Sequence, residues 1–278
     1  MTRLDLLAAE PIVRRAIEED LGQGDITTSL TVPRLARADA RIVSKSAGIL
    51  AGIEIARMVF AILDSRLMFE PHLEDGARLE QGTVIANVIG SAAEILSGER
   101  VALNFLQRMS GIATLTSQYV SRVSHTKARI VDTRKTVPGL RCLDKYSVRV
   151  GGGYNHRFGL YDGILIKDNH IAAAGGIAAA VRAAKNRAPH TLLVEVEVRN
   201  LDELKEAIES GADAVLLDNM SVQTLSEAVQ LAAGRVVLEA SGGITLDNVA
   251  QVAETGVDLI SVGALTHSPP ALDISMEF

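Results

Sequence analysis

The chain has 278 residues with a formal net charge of −6, and 47% of its residues are hydrophobic, which is typical of a folded protein with a sizeable core. The acidic balance, the 3% aromatic content and the absence of tryptophan argue against a general nucleic-acid or anionic-membrane surface. The single cysteine, Cys142, excludes a disulfide within the chain, and no apolar run reaches the ~18 residues that a membrane span needs. We therefore expect a cytoplasmic protein without nucleic-acid or membrane partners, in which Cys142 is a packing residue.

The first part of the chain, residues 1–112, mixes helical patterns with short strands. The segment 36–60 predicts a strand, a glycine turn and a helix, and segment 73–90 predicts short strands joined by turns at Asp75-Gly76 and Gln81-Gly82. The segment 94–120 predicts a long helix or a pair of helices, because its apolar residues recur at helical spacing. We expect these residues to form a separate N-terminal domain.

From about residue 129 onward, six apolar strand-like runs alternate with helical segments. This alternation predicts a parallel sheet covered by helices, and the similar spacing of the six units favours a TIM-like α/β barrel with fewer than eight strands. A doubly wound open sheet is the alternative. We expect the barrel domain to span 113–269, and the tail 270–278, which follows a Pro-Pro break, to pack back on the first domain.

The carboxyl ends of these runs carry polar or glycine residues, which in a parallel barrel all point to the face where barrel enzymes build their sites. Arg134 and Lys135 end the first run, Lys167 the second, and Arg157 lies in the glycine-rich loop between them. Arginine suits bidentate pairing with a carboxylate or phosphate, and lysine acts as a point charge. In an acidic chain, such a local group of cations predicts a small anionic ligand.

Two acidic residues, Glu197 and Asp218, end the next two runs. Their hard oxygen atoms could hold Mg²⁺, directly or through water, or bind sugar hydroxyls. Glu195 has the same strand parity as Glu197, so one of the two is expected to pair with a cation, and spacing does not decide which.

The last two runs end in loops typical of a phosphate site. One loop contains Ser241, Gly242 and Gly243, and the other contains Gly263 and, slightly later, His267. His156, beside Arg157, and His170 also lie near strand ends. The sequence thus predicts a pocket for a ligand with carboxylates or phosphates at more than one end.

Several segments together resemble one known family. They are "EDLGQGDITT", "GERVALNFLQRMSGIAT", "DTRKTVPGLR", "KYSVRVGGGYNHRFGL", "IKDNH", "EVEV", "LLDN", "EASGGI" and "VGALTHS", and they run from about Glu19 to Ser268. They are similar to the signature segments of quinolinate phosphoribosyltransferases.

The resemblance implies an N-terminal α/β sandwich domain and a C-terminal open TIM-like α/β barrel. It also implies a homodimer, or a higher oligomer of dimers, with active sites at the interface. The implied substrates are quinolinate and phosphoribosyl pyrophosphate with Mg²⁺, and the products are nicotinate mononucleotide, pyrophosphate and CO2 in NAD biosynthesis.

The resemblance also implies roles for individual residues. Quinolinate would be held by the side chains of Arg134, His156, Arg157 and Lys167, and by Arg100 from the partner subunit. Lys135 would contact quinolinate and the pyrophosphate end. Glu197 and Asp218 would serve the ribose hydroxyls and Mg²⁺, and the phosphate site would comprise Ser241, Gly242, Gly243, Gly263 and His267. The expected catalytic residues are Lys135, Lys167, Glu197 and Asp218.

Three other functions are open at this point. Lys167 ends a barrel strand, as the lysine of a Schiff-base lyase would. A related phosphoribosyltransferase could act on another base, and a non-catalytic protein could sense a phosphate ligand.

Overall fold

In a computed structural model, the described part of the chain, residues 4–278, folds into two compact units. The first contains the chain up to Ser117 together with Thr136–Gly152 and Leu265–Phe278, and the second contains Gln118–Lys135 and Gly153–Ala264. Both units are discontinuous in sequence, so the boundary expected near residue 112 stays a prediction.

The first unit is built around an antiparallel sheet and helices. Its helices are α1 (Leu6–Leu21), α2 (Ile26–Thr31), α3 (Ile53–Leu63), α4 (Ala92–Val123), whose last turns belong to the second unit, and α5 (Arg141–Val150). Its strands are β1 (Arg37–Ser44), β2 (Gly48–Ile49), β3 (Met68–Pro71), β4 (Arg78–Leu79), β5 (Val84–Ser91) and β12 (Ile274–Glu277). The larger sheet has the order β12-β1-β5-β3, and β2 pairs with β4.

The tail strand β12 pairs antiparallel with β1, with Ile42 opposite Met276. The expected turns are present: Gly76 and Gly82 have φ values of +94° and +87°, a region that favours glycine. The segment 94–120 lies within one continuous helix, α4, rather than a helix pair. Apolar side chains of the sheet and of α1, α3 and α4 form one core, which includes Val13, Ile42, Val59, Phe60, Ile85, Leu106 and Met109.

The second unit contains a parallel sheet whose strands alternate with helices. The strands are β6 (Arg129–Val131), β7 (Ile164–Ile166), β8 (Val194–Val198), β9 (Ala214–Asp218), β10 (Val237–Ser241) and β11 (Leu259–Ser261). The helices are α6 (Asp168–Ala174), α7 (Ile177–Arg187), α8 (Leu201–Glu209), α9 (Val222–Ala232) and α10 (Val249–Glu254), and the short α11 (Ala264–His267) follows.

The strand order β7-β8-β9-β10-β11-β6 returns the last strand to the first. This order is that of a β/α barrel and excludes the doubly wound alternative, in which the strand order reverses at a switch point. The backbone of Tyr154 bonds to the other side of β6, since its amide donates to the carbonyl of Ile130 and its carbonyl accepts from the amide of Asp132. The expected TIM-like barrel is confirmed, with six strands in the part of the chain that the structure describes.

The helix starts of this unit are fixed locally. The Asn200 side chain accepts from the backbone amide of Glu203 at the start of α8, and the Ser221 side chain accepts from that of Thr224 at the start of α9. Such caps satisfy amides that the first helical turn leaves without partners. Among residues 4–278, no helix combines the length and apolar character needed to cross a membrane.

Candidate active site

The strand register places a set of polar side chains on one face of the parallel sheet. Glu197 lies opposite Leu216, and Asp218 lies opposite Ser241. Because alternate residues of a strand share a face, Glu195 and Glu197 point to the same side of β8. The same parity joins Leu216 to Asp218 on β9, and Glu239 to Ser241 on β10.

This face lines a cavity of about 520 Å³ in the second unit. Eight of the residues predicted from the sequence line it: Arg134, Lys135, His156, Arg157, Lys167, Glu197, Asp218 and Ser241. It also contacts residues that the sequence interpretation did not assign to the site, namely Thr133, Leu165, Leu216, Glu239 and Ser261. The strand parity described above could have found Leu216 and Glu239, because each lies two residues before a predicted site residue on its own strand.

The cations of the cavity differ in exposure. Arg134 and Lys135 are exposed, whereas Arg157 is half-buried and its Nη1 donates to the carbonyl of Gly163 at 3.0 Å. A Cβ on Gly163 would lie 2.9 Å from the Cβ of Arg157, so glycine leaves room for this approach. Burial, followed by the positive charge of Arg134, lowers the pKa of Arg157. Crowded, partly desolvated cations of this kind are stabilised when an anion binds between them.

Lys167 and Glu197 form an ion pair, with Nζ and Oε2 at 2.9 Å. Their side chains are 45% and 13% exposed, so the carboxylate lies deeper in the cavity than the ammonium group. Of the two glutamates on this face of β8, Glu197 is therefore the one that pairs with a lysine. Glu195 instead contacts His156, at 3.1 Å between Oε2 and Nε2.

The turn after β9 orients Asp218. Asn219 has φ +54°, an uncommon value for a residue with a side chain, and its Nδ2 donates to Asp218 Oδ1 at 3.0 Å. Its backbone amide donates to the carbonyl of Ser241 at 2.8 Å, which ties this turn to the end of β10. The carboxylate of Asp218 is thereby held at the mouth of the barrel.

The glycine loop after β10 packs on the same turn. Gly242 has φ +92°, and a Cβ there would lie 2.2 Å from the side-chain oxygen of Asn219, so only glycine fits. The side chain of Asn248 closes the loop, because its Nδ2 donates to the carbonyl of Gly243 at 2.9 Å and its Oδ1 accepts from the amide of Thr245 at 2.8 Å. The result is a fixed, side-chain-poor surface beside Asp218.

Some predicted site residues lie elsewhere. Arg100 and His267 belong to the first unit, where Arg100 Nη2 lies 3.7 Å from Glu99 Oε1 and His267 Nδ1 lies 2.6 Å from Ser268 Oγ. Gly243 and Gly263 follow β10 and β11 but do not line the cavity described above. His170 helps to cap α6, since its Nδ1 accepts from the amide of Lys167 at 3.0 Å. The proposed ligand contacts of all these residues stay predictions.

Two groups could be considered for a metal ion. Glu197 and Asp218 offer the oxygen atoms that Mg²⁺ prefers, and they lie on neighbouring strands of one face, which fits the predicted site. Among the residues that the structure describes, a tighter group is formed by His156, Glu195 and Glu239, whose ligand atoms lie within 4.8 Å of one another. That group does not suit a metal, because Nδ1 of His156 accepts from the amide of Arg157 at 2.7 Å, which places the ring proton on Nε2, the nitrogen that faces the carboxylates.

Comparison with known proteins places this site in a family. The model of the quinolinate phosphoribosyl transferase C-terminal domain matches residues 112–277, and that of the N-terminal domain matches residues 25–110. The chain belongs to the quinolinate phosphoribosyltransferase family. The resemblance seen in the sequence motifs is thereby confirmed.

Individual members of this family are similar over nearly their whole length. The nicotinate-nucleotide pyrophosphorylase (carboxylating) of Mycobacterium leprae is 46% identical, with 97% of each chain covered. A probable enzyme of the same name from Bacillus subtilis is 49% identical, over 93% of this chain and 89% of the relative. The crystal structure of NadC from Streptococcus pyogenes has a TM-score of 0.96 and 41% identity, covering 100% of this chain and 98% of that one. The two-domain α/β fold expected of the family is therefore also confirmed.

Proposed function

We propose that this protein transfers the phosphoribosyl group of phosphoribosyl pyrophosphate to quinolinate and removes one carboxylate as CO2. The products are nicotinate mononucleotide and pyrophosphate, and the reaction serves NAD biosynthesis. Membership of the family supports the activity, since relatives at 46% and 49% identity carry the corresponding enzyme name. The observation that carries the proposal is the cavity at the carboxyl ends of the barrel strands, which combines four cations with the two acidic strand-end residues Glu197 and Asp218 and with Glu239.

Quinolinate would bind among the cations. Its two adjacent carboxylates match Arg134, Arg157 and Lys167, which line one cavity. The ion pair between Lys167 and Glu197 places the lysine at the edge of this group. There the lysine can act as a point charge toward a carboxylate.

Phosphoribosyl pyrophosphate would bind beside quinolinate, on the same face of the sheet. Glu197 and Asp218 would accept hydrogen bonds from the ribose hydroxyls, and Lys135 would contact the pyrophosphate. The 5′-phosphate would lie against Ser241, Gly242 and Gly243, where the absence of large side chains lets backbone amides approach it. Gly263 and His267 would complete the phosphate site.

Glu197 and Asp218 would also hold Mg²⁺, directly or through water, and the ion would neutralise charge on the pyrophosphate.

The ring nitrogen of quinolinate attacks C1 of the ribose, the bond from C1 to the pyrophosphate oxygen breaks, and the leaving group takes the electron pair. The carboxylates of Glu197 and Asp218 stabilise the positive charge that develops on the sugar. The bond from C2 to the departing carboxylate then breaks as CO2 leaves, its electron pair stays on C2 beside the positive pyridinium nitrogen, and that pair takes a proton.

One assay tests the function. Purified protein with Mg²⁺ and phosphoribosyl pyrophosphate is given quinolinate or nicotinate, and pyrophosphate and CO2 are measured. We expect quinolinate to be preferred by roughly 10⁴ in kcat/KM, because nicotinate lacks one carboxylate and leaves cations of the cavity without a partner. Comparable turnover of nicotinate would contradict the proposal, and a borohydride-trapped adduct on Lys167 would point to a lyase instead.

The homodimer, or a higher oligomer of dimers, is part of the same proposal, as is the cytoplasmic location. Arg100 is expected to reach the site of the partner protomer, as the family resemblance implies. The test co-expresses two inactive variants, Arg100→Ala and Lys167→Ala. If Arg100 acts across a two-fold interface, about half of the dimers are mixed and roughly a quarter of all sites recover. No recovery, with mixed dimers shown by mass spectrometry, would remove Arg100 from the shared site.

A further inference from the structure

Three buried carboxylates lie beneath the cations of the cavity. Asp132 is 0%, Glu195 9% and Glu239 1% exposed. Glu239 borders the cavity at the carboxyl ends of the strands and also a second cavity, of about 500 Å³, which is lined by residues near the amino ends of strands and by residues of segment 155–163. The carboxylates thus lie inside the barrel, where charges are costly unless they are hydrogen-bonded.

Asp132 holds the backbone of the segment that carries the cation Arg157. Its Oδ1 accepts from the amide of His156 at 2.9 Å, and its Oδ2 accepts from the side-chain amide of Asn155 at 2.5 Å. Asp132 directly follows β6, so these bonds fasten the segment to the end of a barrel strand.

Glu195 holds the ring of His156 in the same segment. Nδ1 of His156 accepts from the amide of Arg157 at 2.7 Å, so the ring proton lies on Nε2 and is donated to Glu195 Oε2 at 3.1 Å. Glu239 Oε2 is farther from the same nitrogen, at 3.7 Å. Both ring nitrogens of His156 therefore have partners within the protein, and the imidazole links Glu195 to the backbone of Arg157.

These contacts form a continuous chain from the barrel interior to a cavity cation. Asp132 and Glu195 fix His156, His156 fixes the amide of Arg157, and the guanidinium of Arg157 is fixed by the carbonyl of Gly163 at 3.0 Å. Hydrogen bonds to charged groups are stronger than those between neutral groups, which suits carboxylates for this purpose.

We propose that Asp132 and Glu195 are positioning residues, which hold the His156–Arg157 segment in the geometry that binds the dicarboxylate substrate. The inference rests on the proposed function, because it assumes that Arg157 binds quinolinate. It assigns to His156 a linking role that uses both ring nitrogens inside the protein.

The state of Glu239 supports this division of roles. Burial, followed by the negative charge of Glu195, raises the pKa of Glu239 to about 7. Oε1 of Glu239 has no hydrogen-bond partner, whereas Oε2 of Glu195 accepts the hydrogen bond from Nε2 of the imidazole. Of the two glutamates, Glu195 is thus the carboxylate that orients the ring.

The test compares variants of the full-length protein by calorimetric titration with quinolinate and, separately, with phosphoribosyl pyrophosphate. Glu195→Ala should weaken quinolinate binding roughly 10- to 100-fold, since small displacements of a binding group have effects of this size. Affinity for phosphoribosyl pyrophosphate should change less than threefold. Glu195→Gln should restore most of the affinity, because the amide oxygen can accept the Nε2 proton. Glu195→Ala combined with Glu239→Ala also removes the second glutamate, whose oxygen atom lies 3.7 Å from Nε2 and could replace Glu195 as the acceptor.

The matched control is Asp213→Asn. Asp213 also holds β8, by accepting from the amide of Val194 at 2.7 Å, but it does so at the amino end of the strand. The variant Asp213→Asn should lower the melting temperature, but it should not weaken quinolinate binding more than phosphoribosyl pyrophosphate binding. Unchanged quinolinate affinity in the double variant at Glu195 and Glu239, or an equal loss for both substrates in Glu195→Ala as in a merely destabilised protein, would overturn the proposal.

An NMR spectrum of the His156 ring separates this proposal from the proposed function. We expect the tautomer protonated on Nε2 in the wild type and its loss, or exchange between tautomers, in Glu195→Ala. If the wild type binds no quinolinate but shows this behaviour, the proposed function fails and the positioning contact stands. If quinolinate binds and the ring is unaffected by Glu195→Ala, the positioning role fails and the function stands.

Discussion

In the first unit the buried carboxylate of Asp144 faces the guanidinium of Arg108, whereas in the second unit the buried carboxylates of Glu195 and Glu239 face one imidazole. The Arg108 pair is bidentate, with Nε to Oδ1 at 2.9 Å and Nη2 to Oδ2 at 2.7 Å. Glu239 has one oxygen atom without a hydrogen-bond partner. In the first unit, both oxygen atoms of the buried Asp144 carboxylate have a donor. In the second unit, the two buried carboxyl groups of Glu195 and Glu239 lie near one imidazole.

The pKa values reflect this difference. Burial raises the pKa of Asp144, and Arg108 opposes the increase. Burial also raises the pKa of Glu239, to about 7, and the charge of Glu195 adds to the effect. A cluster that costs stability is expected near a functional site, whereas a fully paired carboxylate is typical of structural support. The following predictions test this distinction, from the largest expected effect to the smallest.

Arg108→Ala should reduce the free energy of unfolding by about 3–5 kcal/mol, because it leaves the carboxylate of Asp144 buried without its cation. Urea denaturation measures the loss. The double variant Arg108→Ala/Asp144→Ala should be more stable than Arg108→Ala alone, since the uncompensated charge is removed. If the single variant is as stable as the wild type, the ion pair between Arg108 and Asp144 does not stabilise the fold.

Lys135→Ala should lower kcat/KM by roughly 10²–10³, the typical effect of losing one preorganised charge contact. The side chain is exposed, so the melting temperature should stay near that of the wild type. The control is Lys205→Ala, which removes another exposed lysine, on α8 of the same unit. A similar kinetic loss in both variants would indicate a general charge effect rather than a site contact.

Glu239→Gln should become more stable relative to the wild type as the pH rises. Burial has the largest effect on the Glu239 carboxyl group, followed by Glu195, His156, Ser261 and Asp132, and the net result is a pKa of about 7 against a usual 4.5. The folded protein retains this proton in a range where the unfolded chain has released it, so wild-type stability falls between pH 4.5 and about 7. Glutamine has no proton to lose.

The difference in unfolding free energy between variant and wild type should therefore grow by on the order of 2–3 kcal/mol from about pH 5 to about pH 8. Denaturation curves of both proteins at the two pH values give this quantity. A pH-independent difference would show that Glu239 is not the titrating group.

Lys127→Ala should change stability least, by less than about 1 kcal/mol. Its Nζ lies 2.7 Å from Asp258 Oδ1, but the two side chains are 63% and 36% exposed. Asp258 also accepts from the amide of Leu238 through its other oxygen, and that bond remains. A loss as large as that of Arg108→Ala would mean that burial does not separate the two kinds of ion pair.

Particular residues show how far sequence reasoning reached. The strand ends at Lys167, Glu197 and Asp218 were predictable, because alternating apolar runs and helices fix where each strand stops and which face its last residues share. Glu239 was not assigned, although it lies two residues before Ser241 on β10. In the sequence it is one glutamate inside an apolar run, and its meaning depends on Glu195 and His156, which belong to other parts of the chain.

Segment 136–152 is a second example. It lies between the barrel strands β6 and β7 in sequence, yet it belongs to the first unit, where Tyr146 donates to Asp75 Oδ2 at 2.8 Å. No local pattern in this segment indicates such a partner.

The sequence by itself determined the alternation of strands and helices, the polar strand ends and the family motifs. These depend on the spacing of residues along the chain, because the local backbone geometry fixes which residues share a face of a strand or helix and where each strand ends. The tertiary structure alone decided that Glu197 pairs with Lys167 while Glu195 orients His156, and that Arg157 is held against Gly163. These contacts depend on strand register and on loop paths that bring distant residues within hydrogen-bonding distance. The residues next to each of them in the sequence do not indicate which partner it has.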